Sequence, residues 1–313
     1  GTHVAGTVAA VNHNGIGVGG VAGGSLATIC SSLATWQPYS NTMLRCYNEG
    51  KVTYGYKTEK AVGGSDSNSL QLGGVTGYWE GDITSSQNAG EIDVKAPRGN
   101  DTGTSFLRGI YLGGVTSIIS GSLISCVNSG DIDYAGTTAG APNTTVACGP
   151  SSWALIGGVA AAAGNSTSTQ LRDCHNRASK MQIDLHMRQG NGTYGAVGGV
   201  CGLTLSALEN CSNDADITLQ SFKQNFYFGG VTGYNEYFET VSCDNSGDLS
   251  LTLGAPGDKP SSVALFGGIL AYTKKNVSYC NNSGAMNLTG GRSGKTYYAS
   301  NNFNKDDYVI IDI

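Results

Sequence analysis

Phe228 to Leu249 reads FGGVTGYNEYFETVSCDNSGDL, and the chain rewrites this stretch along most of its length. A large apolar residue leads into Gly-Gly followed by Val or Ile. About a dozen residues later comes Cys-x-Asn-x-Gly, or a close variant, and then an acidic or polar residue and an aliphatic one. The glycine pairs begin at Gly73, Gly113, Gly157, Gly198, Gly229 and Gly267, and the matching asparagines are Asn88, Asn128, Asn176, Asn213, Asn245 and Asn282. Glycine-to-asparagine distances are 15, 15, 19, 15, 16 and 15 residues. The returns from each asparagine to the next pair, counted from Asn48, are 25, 25, 29, 22, 16 and 22. One half of the unit is held in length while the other swells, as in a stacked coil with a measured rung and a free loop.

Each residue of the rung has a physical job. Leu72, Leu112, Ile156, Val197, Phe228 and Phe266 precede the pairs and read as buried strand ends. Gly-Gly offers positive φ and no Cβ, which allows a sharp bend and close approach to the neighbouring coil. Asn-Ser-Gly and Asn-Ala-Gly are turn chemistry, with stacked asparagines able to form an amide ladder along the axis. The column of Cys46, Ser86, Cys126, Cys174, Cys211, Cys243 and Cys280 is read as the inward residue alternating with asparagine. The expectation is an all-β fold: a β-helix-like repeat solenoid of about seven coils with a short, helical N-terminal segment. Residues 1–24 form a cap or remnant, 25–293 the array, and 294–313 a C-terminal strand or cap.

The unit resembles the GLUG-type repeats of bacterial surface proteins, on GGVTGYWEGDITSSQNAGEI (73–92) and GGVTGYNEYFETVSCDNSGDL (229–249), over about residues 18–287. That resemblance implies a secreted or surface-displayed, adhesive β-array with no catalytic residues of its own. Residues 1–24, GTHVAGTVAAVNHNGIGVGGVAGG, resemble the histidine-motif segment of subtilisin-like serine proteases. The catalytic histidine of that motif would precede Gly1, and His3 matches the second, non-catalytic one. Ser105 in Gly103-Thr104-Ser105 lacks the Ala and Pro of a nucleophile motif, and Asp101 overlaps it in the wrong chain order. The alternative function is therefore a fragment of a subtilisin-like protease whose catalytic residues lie outside this chain.

Composition narrows the classes further. Glycine is 48 of 313 residues without a collagen period, so the surplus belongs to turns. Charged residues are 13% and the net charge is −5 without a basic stripe, which argues against nucleic acid and anionic membrane as partners. No apolar run approaches the ~20 residues of a membrane helix. Nine cysteines invite a disulfide reading, yet six share one register, which favours buried free thiols. Cys30, Cys148 and Cys201 lie outside the register, and Cys201–Cys211 is the one local pair to consider.

No catalytic, cofactor-binding or metal site is expected. His3, His13, His175 and His186 show no ligand spacing. Asp131, Asp133, Asp216 and Asp248 follow the turn and line an edge, without the period of a calcium-bound β-roll. Tyr78, Tyr234 and Tyr272 recur after the glycine pair, while Trp36, Trp79 and Trp153 are scattered. These tyrosines are either a structural stripe or an exposed surface for a carbohydrate. Asn143, Asn165, Asn191, Asn276, Asn281 and Asn287 open Asn-x-Ser/Thr triplets. The expected partner is an unidentified surface ligand, carbohydrate or protein, met outside the cell.

Overall fold

The computed structural model describes residues 42–55, 69–95, 107–135, 148–164, 168–186, 194–222, 225–253, 264–290, 296–300 and 309–312. Every regular element among them is a β-strand. The first coil sets the pattern: β1 (Thr42–Leu44), β2 (Tyr47–Asn48), β3 (Val52–Gly55), β4 (Ser69–Gly73) and β5 (Thr76–Trp79). Each later coil lays its strands on these in parallel, so five sheets run along one axis. The sheets founded by β1, β2 and β3 are seven strands deep, that of β5 six and that of β4 eight. The described residues thus make six complete five-strand turns and a partial seventh. In the fourth sheet the last parallel strand, Thr296–Ser300, pairs antiparallel with Val309–Asp312. The protein is a parallel β-solenoid, as the repeat predicts, with slightly fewer complete coils than expected. The helix expected within residues 1–24 lies outside the described residues.

Strands of the fourth sheet end at the first glycine of each pair, from Gly73 to Gly267. The reason differs from the expected one. No residue of a glycine pair carries positive φ; the non-glycine positions that do are Arg45, Ser85, Ser125, Asp173, Asn210, Ser242 and Tyr279, with φ of 53° or 57°. Each stands immediately before a residue of the cysteine column, at the corner between the first and second sheets. The pairs are glycine because there is no room: a Cβ on Gly114 would lie 2.0 Å from Gly158 O and 2.3 Å from Asn128 Cγ. The corner itself is strained, since a left-handed residue with a Cβ costs about 1–2 kcal/mol. Ser125→Gly is expected to raise stability by about 0.5 kcal/mol, and Ser125→Val to lower it by about 1–2 kcal/mol. Urea unfolding midpoints of the two variants check this, and a shift of the same sign in both would contradict the corner strain.

The interior holds two apolar compartments. One lies between the third and fourth sheets and includes Leu72, Leu112, Ile132, Ile156, Ile183 and Phe228. The other lies within the first, second and fifth sheets and includes Val75, Ile83, Val115, Leu123, Cys126 and Cys174. The asparagines divide them. Residues two apart on a strand share a face, so cysteine and asparagine both point inward and do not alternate as the sequence reading had it. Asn88, Asn128, Asn176 and Asn213 are fully buried. Each asparagine reaches across its own coil to the second glycine of its pair: Cβ atoms on Gly74, Gly158 and Gly199 would strike Asn88, Asn176 and Asn213 at 2.2–2.3 Å. The measured rung is therefore a closed half-coil whose two ends touch. The free half opens between the third and fourth sheets, where the chain leaves at Gly55 and returns at Ser69.

Along the axis the asparagines form one ladder. Nδ2 of Asn48, Asn88, Asn128, Asn176, Asn213 and Asn245 each donates to Oδ1 of the next asparagine, over 2.6–2.9 Å. The second Nδ2 proton usually goes to a carbonyl two residues on, as from Asn128 to Gly130 at 2.9 Å. In one coil an extra residue follows the asparagine, and Asn176 Nδ2 turns to Met181 Sδ at 3.2 Å instead. Ala215 replaces the motif glycine and its carbonyl still accepts from Asn213 at 2.8 Å. The motif glycine is thus replaceable in this coil, although a Cβ on Gly130 would lie 2.0 Å from Gly90 O, whereas the ladder amide recurs in every coil.

Candidate functional site

The seam where the fourth and fifth sheets meet is the feature of the outer surface that stands apart. The bend at each glycine pair folds the fifth-sheet strand against the outer face of the fourth. The residue two places beyond the bend abuts backbone there and is small: Gly77, Ser117, Ala161, Gly202, Gly233 and Ala271. A Cβ on Gly202 would sit 2.8 Å from both Ala161 O and Ala196 O, and one on Gly233 2.9 Å from Tyr227 O. The seam is filled by a third apolar cluster of Leu155, Ala161 and Ala196, flanked by Tyr111, Leu203, Tyr227 and Tyr234.

Two columns of side chains border it, set by register. On the fifth sheet Tyr78, Ile118, Ala162, Leu203, Tyr234 and Tyr272 follow one another. On the fourth sheet Gln71, Tyr111, Leu155, Ala196, Tyr227 and Leu265 do so. Of the tyrosines expected to form a stripe, the structure brings Tyr234 and Tyr272 together, stacked at 5.1 Å with planes 13° apart. Tyr78 belongs to the same column but is separated from them by three aliphatic residues. The sequence reading missed Tyr227, which meets Tyr234 edge-on at 5.1 Å and Tyr272 at 5.8 Å from the neighbouring sheet. Its signal was its place one residue before the apolar strand end at Phe228, where side chains alternate outward.

The charged rim of this triad comes from the turn that follows. Tyr234 donates its hydroxyl to Glu236, and Lys274 pairs with the same carboxylate from the next coil. The Lys274 ammonium and then the Tyr234 hydroxyl hold Glu236 down at about 2. Burial, and after it the carboxylate, push Tyr234 up. Tyr78 is likewise raised, by burial and then by Glu80. Tyr237 stands beside the rim, 57% exposed.

Other residues singled out in the sequence prove structural. Trp79 packs against the second compartment and donates Nε1 to Asp82 O at 3.2 Å. Trp153 is exposed, and Trp36 lies outside the described residues. His175 Nδ1 meets Ser212 Oγ at 2.9 Å, and burial followed by Arg177 lowers its pKa. His186 ends the strand Lys180–His186, while His3 and His13 lie outside the described residues. Three of the four aspartates close the next coil through backbone N–H groups. Asp131 Oδ1 accepts from Ser179 and Lys180, Asp216 from Asp248, and Asp248 from Ala285. Asp133 lies half-buried on the third sheet in register with Asp93, its pKa raised by burial and then by that neighbour. Asn276 donates to Glu239 at 3.4 Å, and Asn281 and Asn287 are exposed; Asn143, Asn165, Asn191, Asp101 and Ser105 lie outside the described residues.

Among the described residues no three or more His, Cys, Asp or Glu side chains converge as metal ligands. No helix among them is long and apolar enough to cross a membrane. Fold and surface together define a β-solenoid repeat protein with an aromatic outer seam. No family model, curated protein or solved structure matches the chain.

Proposed function

We propose that this chain is a structural and adhesive array, secreted or displayed at a cell surface, that binds through its lateral surface and carries out no catalysis. The tyrosine seam carries the reading. Tyr227, Tyr234 and Tyr272 supply a rigid aromatic surface, bordered by the Glu236–Lys274 pair and the exposed Tyr237. Aromatic side chains of this kind bring large contact area with a polar tip and few rotamers to freeze. Hydroxyls, a carboxylate and an ammonium on the same strip suit a neutral, hydrogen-bonding polymer, so a glycan is the favoured ligand class. The resemblance to GLUG-type surface repeats points the same way.

The test is binding of the whole chain to immobilised neutral polysaccharides. Retention is expected, with at least a tenfold loss of affinity in Tyr237→Ala and Tyr234→Ala that keep the far-ultraviolet spectrum of the parent. Failure to bind any glycan, or binding by both variants as tight as the parent's, overturns the assignment of the seam. Stoichiometric labelling of a serine by a fluorophosphonate probe would favour the protease-fragment reading instead.

A further inference from the structure

The repeated cysteine does more than fill space, because its pose is the same in every coil. Cys126, Cys174, Cys211, Cys243 and Cys280 occupy one position of five successive coils. The backbone ladder runs through their carbonyls: His175 N, Ser212 N, Asp244 N and Asn281 N donate to the carbonyls of Cys126, Cys174, Cys211 and Cys243 at 2.9–3.1 Å. Cys46, Cys201 and the five cysteines of the row are unbridged, and Cys201 and Cys211 form no pair. Each thiol of the row is directed at the carbonyl two residues before it, as Cys126 to Ile124 at 3.4 Å and Cys211 to Glu209 at 3.4 Å. Four of them also face a carbonyl of the preceding coil, as Cys174 does with Leu123 at 3.3 Å and Cys280 with Thr240 at 3.7 Å. Side chains in one pose on successive parallel strands repeat at the strand spacing of about 4.8 Å.

That spacing is a poor fit to a disulfide, whose Cβ atoms prefer about 3.8 Å. It is a good fit to a soft metal ion held between two sulfurs. Two bonds of the zinc–sulfur length, about 2.3 Å, laid end to end span about 4.6 Å; of the soft ions that thiolates select, zinc and iron–sulfur clusters take four ligands, which leaves copper(I) for two. We propose that the row binds copper(I) in linear two-sulfur sites between successive coils, each sulfur serving one ion. There are four such gaps, Cys126–Cys174, Cys174–Cys211, Cys211–Cys243 and Cys243–Cys280, and two are filled at once, because a thiolate sulfur does not bridge two ions on a straight line. Binding exchanges thiol protons for metal: each site takes one copper(I) ion and two thiols, forms Cu(SR)2 of charge −1 and releases two protons. No electron moves. Cys280 is only partly buried and opens the row at its C-terminal end.

The chain carries its own controls. Ser86 occupies the column position of the second coil, and its Oγ donates to Thr84 O at 3.2 Å, as the thiols do. A Cys→Ser change in the row therefore preserves the native hydrogen bond. Ser86 also isolates Cys46, two coils from Cys126, while Cys201 is a buried thiol outside the row. The experiment titrates the reduced, full-length chain anaerobically with the acetonitrile complex of copper(I). It reads the sulfur-to-copper band in the near ultraviolet, the protons released and the mass of the native complex. The parent should bind two ions; Cys174→Ser and Cys243→Ser should each cost one, and Cys211→Ser and Cys280→Ser none, because two separate pairs of neighbours remain. Cys46→Ser and Cys201→Ser should leave the stoichiometry unchanged. The proposal fails if the folded chain binds no copper, if Cys174→Ser and Cys243→Ser both keep two ions, or if Cys201→Ser loses one.

Discussion

Asn128→Leu will lower the free energy of unfolding by about 3–5 kcal/mol, although leucine is nearly isosteric and more apolar. Asn128 is fully buried and serves three partners: its Nδ2 donates to Gly130 O and Asn176 Oδ1, and its Oδ1 accepts from Asn88 Nδ2. Leucine strips one bond from each of the three in a place water does not reach, at about 1–3 kcal/mol each, although Asn88 Nδ2 keeps Gly90 O and Asn176 Oδ1 keeps Ala178 N. Burial of the new side chain returns about 1–2 kcal/mol, so the loss wins. The same change at Asn48 should cost about 1 kcal/mol, because that residue is half-buried, opens the ladder among the described residues, and has the exposed Gly50 as one of its two Nδ2 partners. Urea unfolding of the two variants, read by far-ultraviolet circular dichroism, makes the comparison. Equal losses at the two positions would mean that the amide ladder contributes nothing beyond the volume it fills.

Gly158→Ala is expected to be at least as damaging, at about 3 kcal/mol or more, and to leave little soluble protein. A Cβ at this position would stand 1.9 Å from Gly199 O and 2.3 Å from Asn176 Nδ2. Ordinary overpacking costs about 1–3 kcal/mol because neighbouring side chains shift. Here one neighbour is the backbone of the next coil, and the other is held by the ladder from both sides. Relief would require parting two coils along every sheet. Gly77→Ala is the matched control. Its Cβ would meet Gln71 O at 3.1 Å, and Ser117, Ala161 and Ala271 already occupy the equivalent position in other coils. That variant should stay within about 0.5 kcal/mol of the parent. Soluble yield and thermal midpoint separate the two, and a well-folded Gly158→Ala chain would show that the glycine pair is not a contact between coils.

The sequence by itself determined the repeat, the coil and the contents of the columns. A period recurring six times with one half constant and the other variable has few physical solutions, and stacking like on like is the simplest. The register of Cys126, Cys174, Cys211, Cys243 and Cys280 and the strand ends at Gly73 to Gly267 follow from counting. Tertiary structure alone decided which way the residues face and why the glycines are there. Asn128 has the composition of a turn residue, and turn chemistry is what a local reading assigns it. It is instead buried, because its partners are Asn88 and Asn176, 40 and 48 residues away. The left-handed corner falls at Ser85, Ser125 and Ser242 and not at glycine, since the stack fixes the corner and serine tolerates it at a modest cost. The constant rung also acquires its cause only in three dimensions: Gly114 at one end and Asn128 at the other are in contact, so the half-coil between them has no slack. In the same way Tyr227 joins Tyr234 and Tyr272 only because a bend at Gly229 and Gly230 folds one sheet onto the next.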